Sequence, residues 1–106
     1  MTDAGNIDID GTLTVSAAGQ NVTLDGGGND LTGAVTLTGA AVTLVDTTAT
    51  AIAGITATGA LSATSGGAIT QSGAIDADST SSFTAGANAI TLTQGANDFT
   101  GAVSLS

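Results

Sequence analysis

Paired aspartates are the side chains of this sequence that could do acid–base or metal chemistry. Asp8 with Asp10, and Asp76 with Asp78, are spaced two positions apart, so on a strand both carboxylates of a pair point to one face. Such a pair could hold Ca²⁺ or supply a general acid and base. The predicted fold separates the two pairs by about 14 Å, which is too far for a shared ion or water. We interpret them as solvated charges, with weak cation binding as the alternative.

A glycine cluster is the second candidate. The segment Asp25-Gly-Gly-Gly-Asn-Asp-Leu31 resembles half of a glycine-rich calcium-binding nonapeptide. That motif needs immediate tandem copies, and the nearest echo is the distant segment Gly95-Ala-Asn-Asp-Phe99. A phosphate cradle would need a following lysine and a helix. We therefore predict a corner in which Gly26, Gly27 and Gly28 supply positive φ.

Rows of hydroxyl side chains are the third candidate. We predict that four Ser/Thr pairs with the spacing Thr-x-Thr share one face of the molecule, and that this face is similar to the Thr-x-Thr rows of β-helical ice-binding proteins. A flat hydroxyl face could bind ice or a glycan directly, while the ordinary interpretation is exterior strand chemistry. The four pairs are Thr14-x-Ser16, Thr36-x-Thr38, Ser82-x-Thr84 and Ser104-x-Ser106.

Composition narrows the remaining chemistry. The 106 residues include nine Asp but no Lys, Arg or His, which gives a net charge of −9, so we expect no attraction to nucleic acid or to an anionic membrane. No Cys is present, which excludes disulfides and thiolate metal sites. A polysaccharide lyase would need a cationic base or clamp, and a hydrolase would need aspartates stacked in adjacent coils, which we do not expect here. We therefore predict no enzyme activity, no catalytic, cofactor or metal site, and no membrane insertion.

Internal repetition indicates how these side chains are positioned. The block Asn29–Thr38 returns 68 positions later as Asn97–Ser106, with only like-for-like differences. Apolar and polar residues alternate within short runs such as Val35-Thr-Leu37, a pattern typical of half-buried strands. Gly-, Ala-, Asn- and Ser-rich breaks separate these runs and predict tight corners. Self-similarity of this kind is typical of a solenoid.

The echo predicts an all-β, right-handed parallel β-helix: a three-sided β-solenoid of about five coils with about 23 residues each. The whole chain, residues 1–106, is predicted to form one solenoid fragment without evident caps. Residues 45–54 are predicted to hold surplus residues that bulge as the longest loop at 47–50, with Ile52 holding the loop down. Gln71 falls where leucines lie in other coils, so either its amide is buried and satisfied locally or its strand ends early; we favour the early end. The predicted inward columns are Ile7, Leu31, Ile55, Ile75 and Phe99; Val15, Leu37, Leu61, Phe83 and Leu105; and Val22, Val42, Ile69 and Ile90.

Three segments carry a family resemblance: Gly66–Ile75, Thr80–Thr93 and Asn97–Ser106. They resemble the β-helix repeats of filamentous-haemagglutinin-like and autotransporter adhesins, which are large surface proteins of Gram-negative bacteria. The resemblance implies a structural stalk or spacer in an exported passenger, located outside the cell at its surface. We expect self-association through the coil ends, and contact with a host or cell-surface glycan or protein only through the parent molecule.

Overall fold

The computed structural model describes residues 1–106 and contains strands, turns and no helix. The strands are short, which suits the brief alternating runs between glycine-rich corners. In chain order they are β1 Asp8–Ile9, β2 Leu13–Ser16, β3 Val22–Leu24, β4 Asp30–Leu31, β5 Ala34–Gly39, β6 Val42–Asp46, β7 Thr50–Ala57, β8 Leu61–Ser65, β9 Ile69–Gln71, β10 Ile75–Ala77, β11 Ser81–Thr84, β12 Asp98–Phe99 and β13 Val103–Leu105.

Every strand pairing is parallel, and the strands form three sheets. The first sheet pairs β1 with β4, the second runs β2–β5–β7–β10–β12, and the third runs β3–β6–β8–β11–β13. Strand β7 is long enough to pair with both β9 and β10. Through this pairing β9 joins the second sheet, but along the chain it lies between β8 of the third sheet and β10 of the second, as β4 lies between β3 and β5. We therefore call the part of each coil that carries β1, β4 or β9 the first side, and the parts that carry the other strands of the second and third sheets the second and third sides. The prediction of a three-sided parallel β-solenoid with about five coils is confirmed.

The coils are shorter than predicted. Stacked residues are 22 positions apart from Val15 to Leu37 but only 18 apart from Leu37 to Ile55. Because of this shortening, the 68 residues that separate the two copies of the repeated block cover three full coils and one side of the next coil. Part of the predicted columns is therefore wrong: Leu61 stacks on Val42 and not on Leu37. Other predicted neighbours are confirmed, including Val15 with Leu37, Val22 with Val42, Ile55 with Ile75 and Phe83 with Leu105.

The prediction that residues 47–50 bulge as the longest loop, within a surplus segment 45–54, is also wrong. Strand β6 continues to Asp46 and β7 begins at Thr50, so only residues 47–49 form the corner. A short coil leaves no surplus residues to loop out. The irregularity is instead a register shift between Val35 and Thr36, where Ala53 of β7 has no counterpart in β5. Ile52 is a fully buried core residue of β7.

The core is a narrow stack of aliphatic side chains between the three sides. One column runs Leu44, Ala63, Phe83 and Leu105, so the largest core residue lies directly above one of the smallest. Pairing a large residue with a small one in this way suits the packing of a thin core. The ring of Phe83 also meets that of Phe99 edge to face, with centroids 6.0 Å apart.

The two ends of the solenoid differ. At the amino-terminal end, residues 1–3 run beneath β3, where Thr23 N–H donates to Met1 O and Asp3 N–H donates to Thr23 O. At the carboxyl-terminal end, β12 and β13 each have one strand partner and one free edge. Val103 and Leu105 remain 42% and 57% exposed there. The free edge thus combines unpaired backbone groups with apolar side chains.

Candidate functional site

The paired aspartates lie on the surface, and the structure adds partners to them. Asp8 stacks on Asp30 in the first sheet, and Asp76 stacks on Asp98 in the second. The expectation that no adjacent coils would stack aspartates is therefore wrong, because the spacing of the coils brings these positions into register. Each stack holds two carboxylates, and nowhere do three or more acidic side chains gather closely enough to share a metal ion.

The glycine cluster forms a corner, as predicted, but for a different reason. Positive φ occurs at Gly19 and Gly86 and at none of the three clustered glycines. Gly26 and Gly28 are instead required by close packing. A Cβ at Gly26 would lie 2.6 Å from Gly5 O, and one at Gly28 would lie 2.5 Å from Asn6 Nδ2. Backbone of the coil beneath thus blocks a side chain at Gly26, whereas a side chain at Gly28 would displace the Asn6 amide that accepts the Gly28 N–H.

The Asp3 carboxylate organises the same corner. Its Oδ2 accepts hydrogen bonds from Asn29 Nδ2 at 2.9 Å and Gly26 N at 3.1 Å, and its Oδ1 accepts one from Asp25 N at 3.1 Å. These donors, with Asn29 the largest contributor, lower the pKa of Asp3 below its ordinary value. The donors that a bound anion would need are thus taken up by a side chain of the protein.

Asp46 is a buried carboxylate that the sequence analysis did not identify. It is 1% exposed and lies at the corner between β6 and β7. Its Oδ1 accepts bonds from Leu31 N at 3.2 Å and Thr48 N at 3.1 Å, and its Oδ2 accepts one from Thr50 Oγ1 at 3.0 Å. The carboxylate fastens its own corner to the coil beneath and has no free oxygen directed into a cavity.

The asparagines form the most consistent polar feature of the molecule. Each of the five asparagine side chains hydrogen bonds to a backbone group of a neighbouring coil, so that polar side chains join the coils along the corners. Asn6 Oδ1 accepts from Gly28 N, Asn21 Oδ1 from Ala41 N, Asn29 Oδ1 from Ile7 N and Asn97 Oδ1 from Ile75 N, while Asn88 Nδ2 donates to Gly66 O.

Only part of this feature could have been detected in the sequence. Asn29 and Asn97 occupy the same place in the repeated block, which hints at a shared role. Asn6, Asn21 and Asn88 have no such signal. Strand β9 does end at Gln71, as predicted, but the Gln71 amide is also hydrogen bonded to the coil above.

The predicted hydroxyl face is divided between two sheets. Thr14 and Thr36 stack in the second sheet, whereas Ser82 and Ser104 stack in the third. The prediction of one shared face is wrong because residues 68 positions apart lie on successive sides of the solenoid and not on the same side. The third sheet nevertheless carries a complete outward ladder through all five of its strands, which we call the hydroxyl ladder. It consists of Thr23, Thr43, Ser62, Ser82 and Ser104.

The surface around these groups has no pocket. Outward side chains on the third sheet, such as Thr43, Ser62 and Ser82, are half-buried by their neighbours and form a shallow relief. No helix is present that could cross a membrane. The surfaces available for contact are therefore the sides and the two ends of the solenoid.

Comparison with known families agrees with the internal echo. The model of a family described as repeats of unknown function (DUF5649) matches residues 1–38 and 39–106, which together cover the chain. The chain belongs to this family. The second DUF5649 match, residues 39–106, is 68 residues long, which equals the interval between the two copies of the repeated block. The first match, residues 1–38, aligns in sequence with residues 69–106, the final part of the second match. No curated protein and no solved structure matches the chain.

Proposed function

We propose that this DUF5649 chain is a segment of a structural shaft, a spacer in an exported bacterial surface adhesin or surface fibre. The observation that carries the proposal is the bonding between coils: parallel strand pairing runs from β1 to β13, and all five asparagines bridge neighbouring coils. In such a solenoid each coil stabilises the next, so length can grow without any change in the core.

The charge and composition support a role outside the cell. A net charge of −9 without any cationic side chain keeps a long shaft soluble. The absence of cysteine leaves no thiol to oxidise in an extracellular medium. The adhesin assignment rests on the resemblance of Gly66–Ile75 and Asn97–Ser106 to adhesin repeats.

Antibody labelling tests export. Antibodies raised against the 106-residue chain should label intact cells of the source bacterium, and proteinase added to those cells should remove the label. A cytoplasmic protein of the same cells serves as the control and should be labelled only after permeabilisation. Labelling of both proteins only in permeabilised cells would contradict the proposal.

We also propose that the 106-residue chain, when isolated, associates end to end with a second copy. The edge at β12 and β13 offers unpaired strand groups together with the exposed side chains of Val103 and Leu105. The opposite end offers the half-buried side chains of Ile9 and Leu13. Free parallel edges of this kind pair with further strands.

Sedimentation across a concentration series tests this association. The sedimentation coefficient of the wild-type chain should rise with concentration. Leu105→Asp should weaken the rise because it places a charge in the joint, while the outward substitution Ser104→Asp should weaken it less. A wild-type chain that stays monomeric at high concentration, with the circular dichroism of a folded β protein, would rule out the association.

A second candidate function is direct binding through the hydroxyl ladder. The observation that favours it is the continuity of the ladder through all five strands of the third sheet. Thermal hysteresis would reveal ice binding, and a glycan array would reveal carbohydrate binding. Ser62→Lys should abolish either activity, whereas Thr36→Lys on the second sheet should not. Absence of both activities in the wild-type chain would leave only the shaft.

A further inference from the structure

The two copies of the repeated block lie on different sides of the solenoid. Val35 and Leu37 of the first copy belong to the second sheet, while their counterparts Val103 and Leu105 belong to the third. All four stack inside strands with the same alternation of inward and outward residues. The second copy thus reuses the strand of the first, but the reused strand faces another direction.

The displacement holds for the rest of the aligned segments, residues 1–38 and 69–106. Asp8–Ile9 lies on the first side, and its counterpart Asp76–Ala77 lies on the second. Val22 lies on the third side, and its counterpart Ile90 bridges to Ile69 on the first. Each element therefore moves forward by one side from one copy to the next.

The corners explain why such a displacement is possible. Asn29 Oδ1 and Asn97 Oδ1 each accept the backbone N–H of the residue 22 positions earlier, at 2.8 and 2.9 Å, although they lie at different corners. Gly33 and Gly101 likewise each pack against backbone of the coil beneath, so that a Cβ would collide with it. The corner uses only local sequence and the coil below it, and it therefore forms equally well at any side.

We propose that the repeat unit, of which residues 39–106 are one full copy, is a screw element. In a longer array, each copy is rotated by one side, about a third of a turn, relative to the copy before it and is raised by about 16 Å. Equivalent residues return to the same side only after three copies, or about ten coils. Every surface feature of the repeat is thereby displayed in three directions around the shaft. This geometry belongs to the shaft itself and does not depend on export.

The screw determines which partners the surface of an array fits. The hydroxyl pair Ser82-x-Thr84 lies on the third side, and the equivalent pair of the previous copy, Thr14-x-Ser16, lies on the second side. Several separate ligand molecules can therefore bind equivalent sites around one shaft. A flat crystalline ligand would meet the same pair in only one copy of every three.

Disulfide trapping in the 106-residue chain tests the displacement. The structure stacks Ser62 on Thr43, whereas a repeat of three whole coils would stack it on Thr38. Because the chain has no cysteine, only an engineered pair can oxidise, and stacked outward positions lie within bonding reach. The pair Thr43→Cys with Ser62→Cys should form an intramolecular disulfide, and the pair Thr38→Cys with Ser62→Cys should not. The opposite result would overturn the proposal, and circular dichroism of the reduced variants confirms that both are folded.

A chain extended by one further copy of residues 39–106 tests the array. The screw places the added counterpart of Thr56 above Ser106, because Thr56 lies above Thr38 in the present chain and Ser106 is the counterpart of Thr38. A cysteine at the added counterpart of Thr56 should form a disulfide with Ser106→Cys, and a cysteine at the added counterpart of Ser62 should form none. Bonding of Ser106→Cys to the added counterpart of Ser62 instead would overturn the proposal. The Thr43 and Ser62 cysteine pair, placed in the same extended chain, checks that it folds.

Discussion

Gln71 and Asn97 exchange two hydrogen bonds across neighbouring coils. Gln71 Nε2 donates to Asn97 Oδ1 at 2.9 Å, and Asn97 Nδ2 donates to Gln71 Oε1 at 2.7 Å. The same Asn97 Oδ1 accepts from Ile75 N, and the same Gln71 Oε1 accepts from Gln94 N. Two amides thus satisfy each other and two backbone donors at a corner where no apolar contact could do so.

Asn97→Ala should destabilise the chain. It removes the acceptor of Ile75 N and both bonds to Gln71, so we expect the free energy of unfolding to fall by about 1–3 kcal/mol. Urea denaturation followed by far-UV circular dichroism measures this change. Gln94→Ala is the matched control, because Gln94 takes part in this corner only through its backbone: its N–H donates to Gln71 Oε1 and its carbonyl accepts from Asn97 N. Equal losses from the two substitutions would contradict the role of the amide pair.

Gly73→Ala should destabilise the chain strongly, while Gly27→Ala should not. A Cβ at Gly73 would collide with Ala53 O of the coil beneath, whereas nothing lies within 4 Å of a Cβ at Gly27. Neither glycine has a positive φ, so the comparison isolates the close approach. Gly27→Ala is expected to be neutral or to stabilise by up to about 1 kcal/mol through the unfolded chain. Thermal unfolding of both variants provides the measurement, and a neutral Gly73→Ala would show that the coils are not so closely stacked there.

The fold and part of the register between coils could be predicted from the sequence, whereas the register across the short coil from Leu37 to Ile55 could not. The alternation in Val35-Thr-Leu37 shows which side chains face inward, and the echo at Asn97 shows that the chain winds. Leu37 and Leu61 are both buried leucines, so their types do not reveal that they lie in different columns. The register is fixed by corner contacts such as Asn97 with Ile75, and these become visible only when the coils are placed on one another.

Leu37→Asp should abolish folding, and Thr38→Asp should be tolerated. Leu37 is fully buried in the core between Val15 and Ile55, whereas Thr38 points outward in the same strand. A buried carboxylate without a partner is far more costly than the loss of one apolar side chain. Far-UV circular dichroism of the two variants distinguishes the faces, and equal spectra would refute the assignment of inward and outward residues in β5.

Asp98→Asn should stabilise the chain at low ionic strength. Asp76 and Asp98 stack on adjacent strands of the second sheet, and the chain has no cationic side chain that could offset their repulsion. Directly opposed like charges destabilise a sheet, so a gain of about 0.2–1 kcal/mol is expected. Asp78→Asn is the control. Ala77 pairs with Ala57, so the next residue, Asp78, lies beside Thr58 and not beside another carboxylate. A gain that persists unchanged in about 1 M NaCl would argue against a charge effect.

The Asp3 carboxylate should make stability depend on pH below the ordinary value of 3.8 for this group. Its bond from Asn29, followed by those from Gly26 and Asp25, lowers the pKa of Asp3 in the folded chain. The unfolded chain therefore binds this proton more tightly than the folded chain does. The stabilisation is complete at pH values above the pKa of Asp3 in the unfolded chain, and it declines as the pH falls through the pKa of Asp3 in the folded chain. Urea midpoints of the wild type and of Asp3→Asn, measured between pH 7 and pH 2, test this. The wild type should be the more stable at pH 7, and the difference should shrink only in the acid range, since protonation removes the charge that the three donors stabilise. A difference that is constant over the whole range, or that grows in acid, would show that these donors do not act on an ionised Asp3.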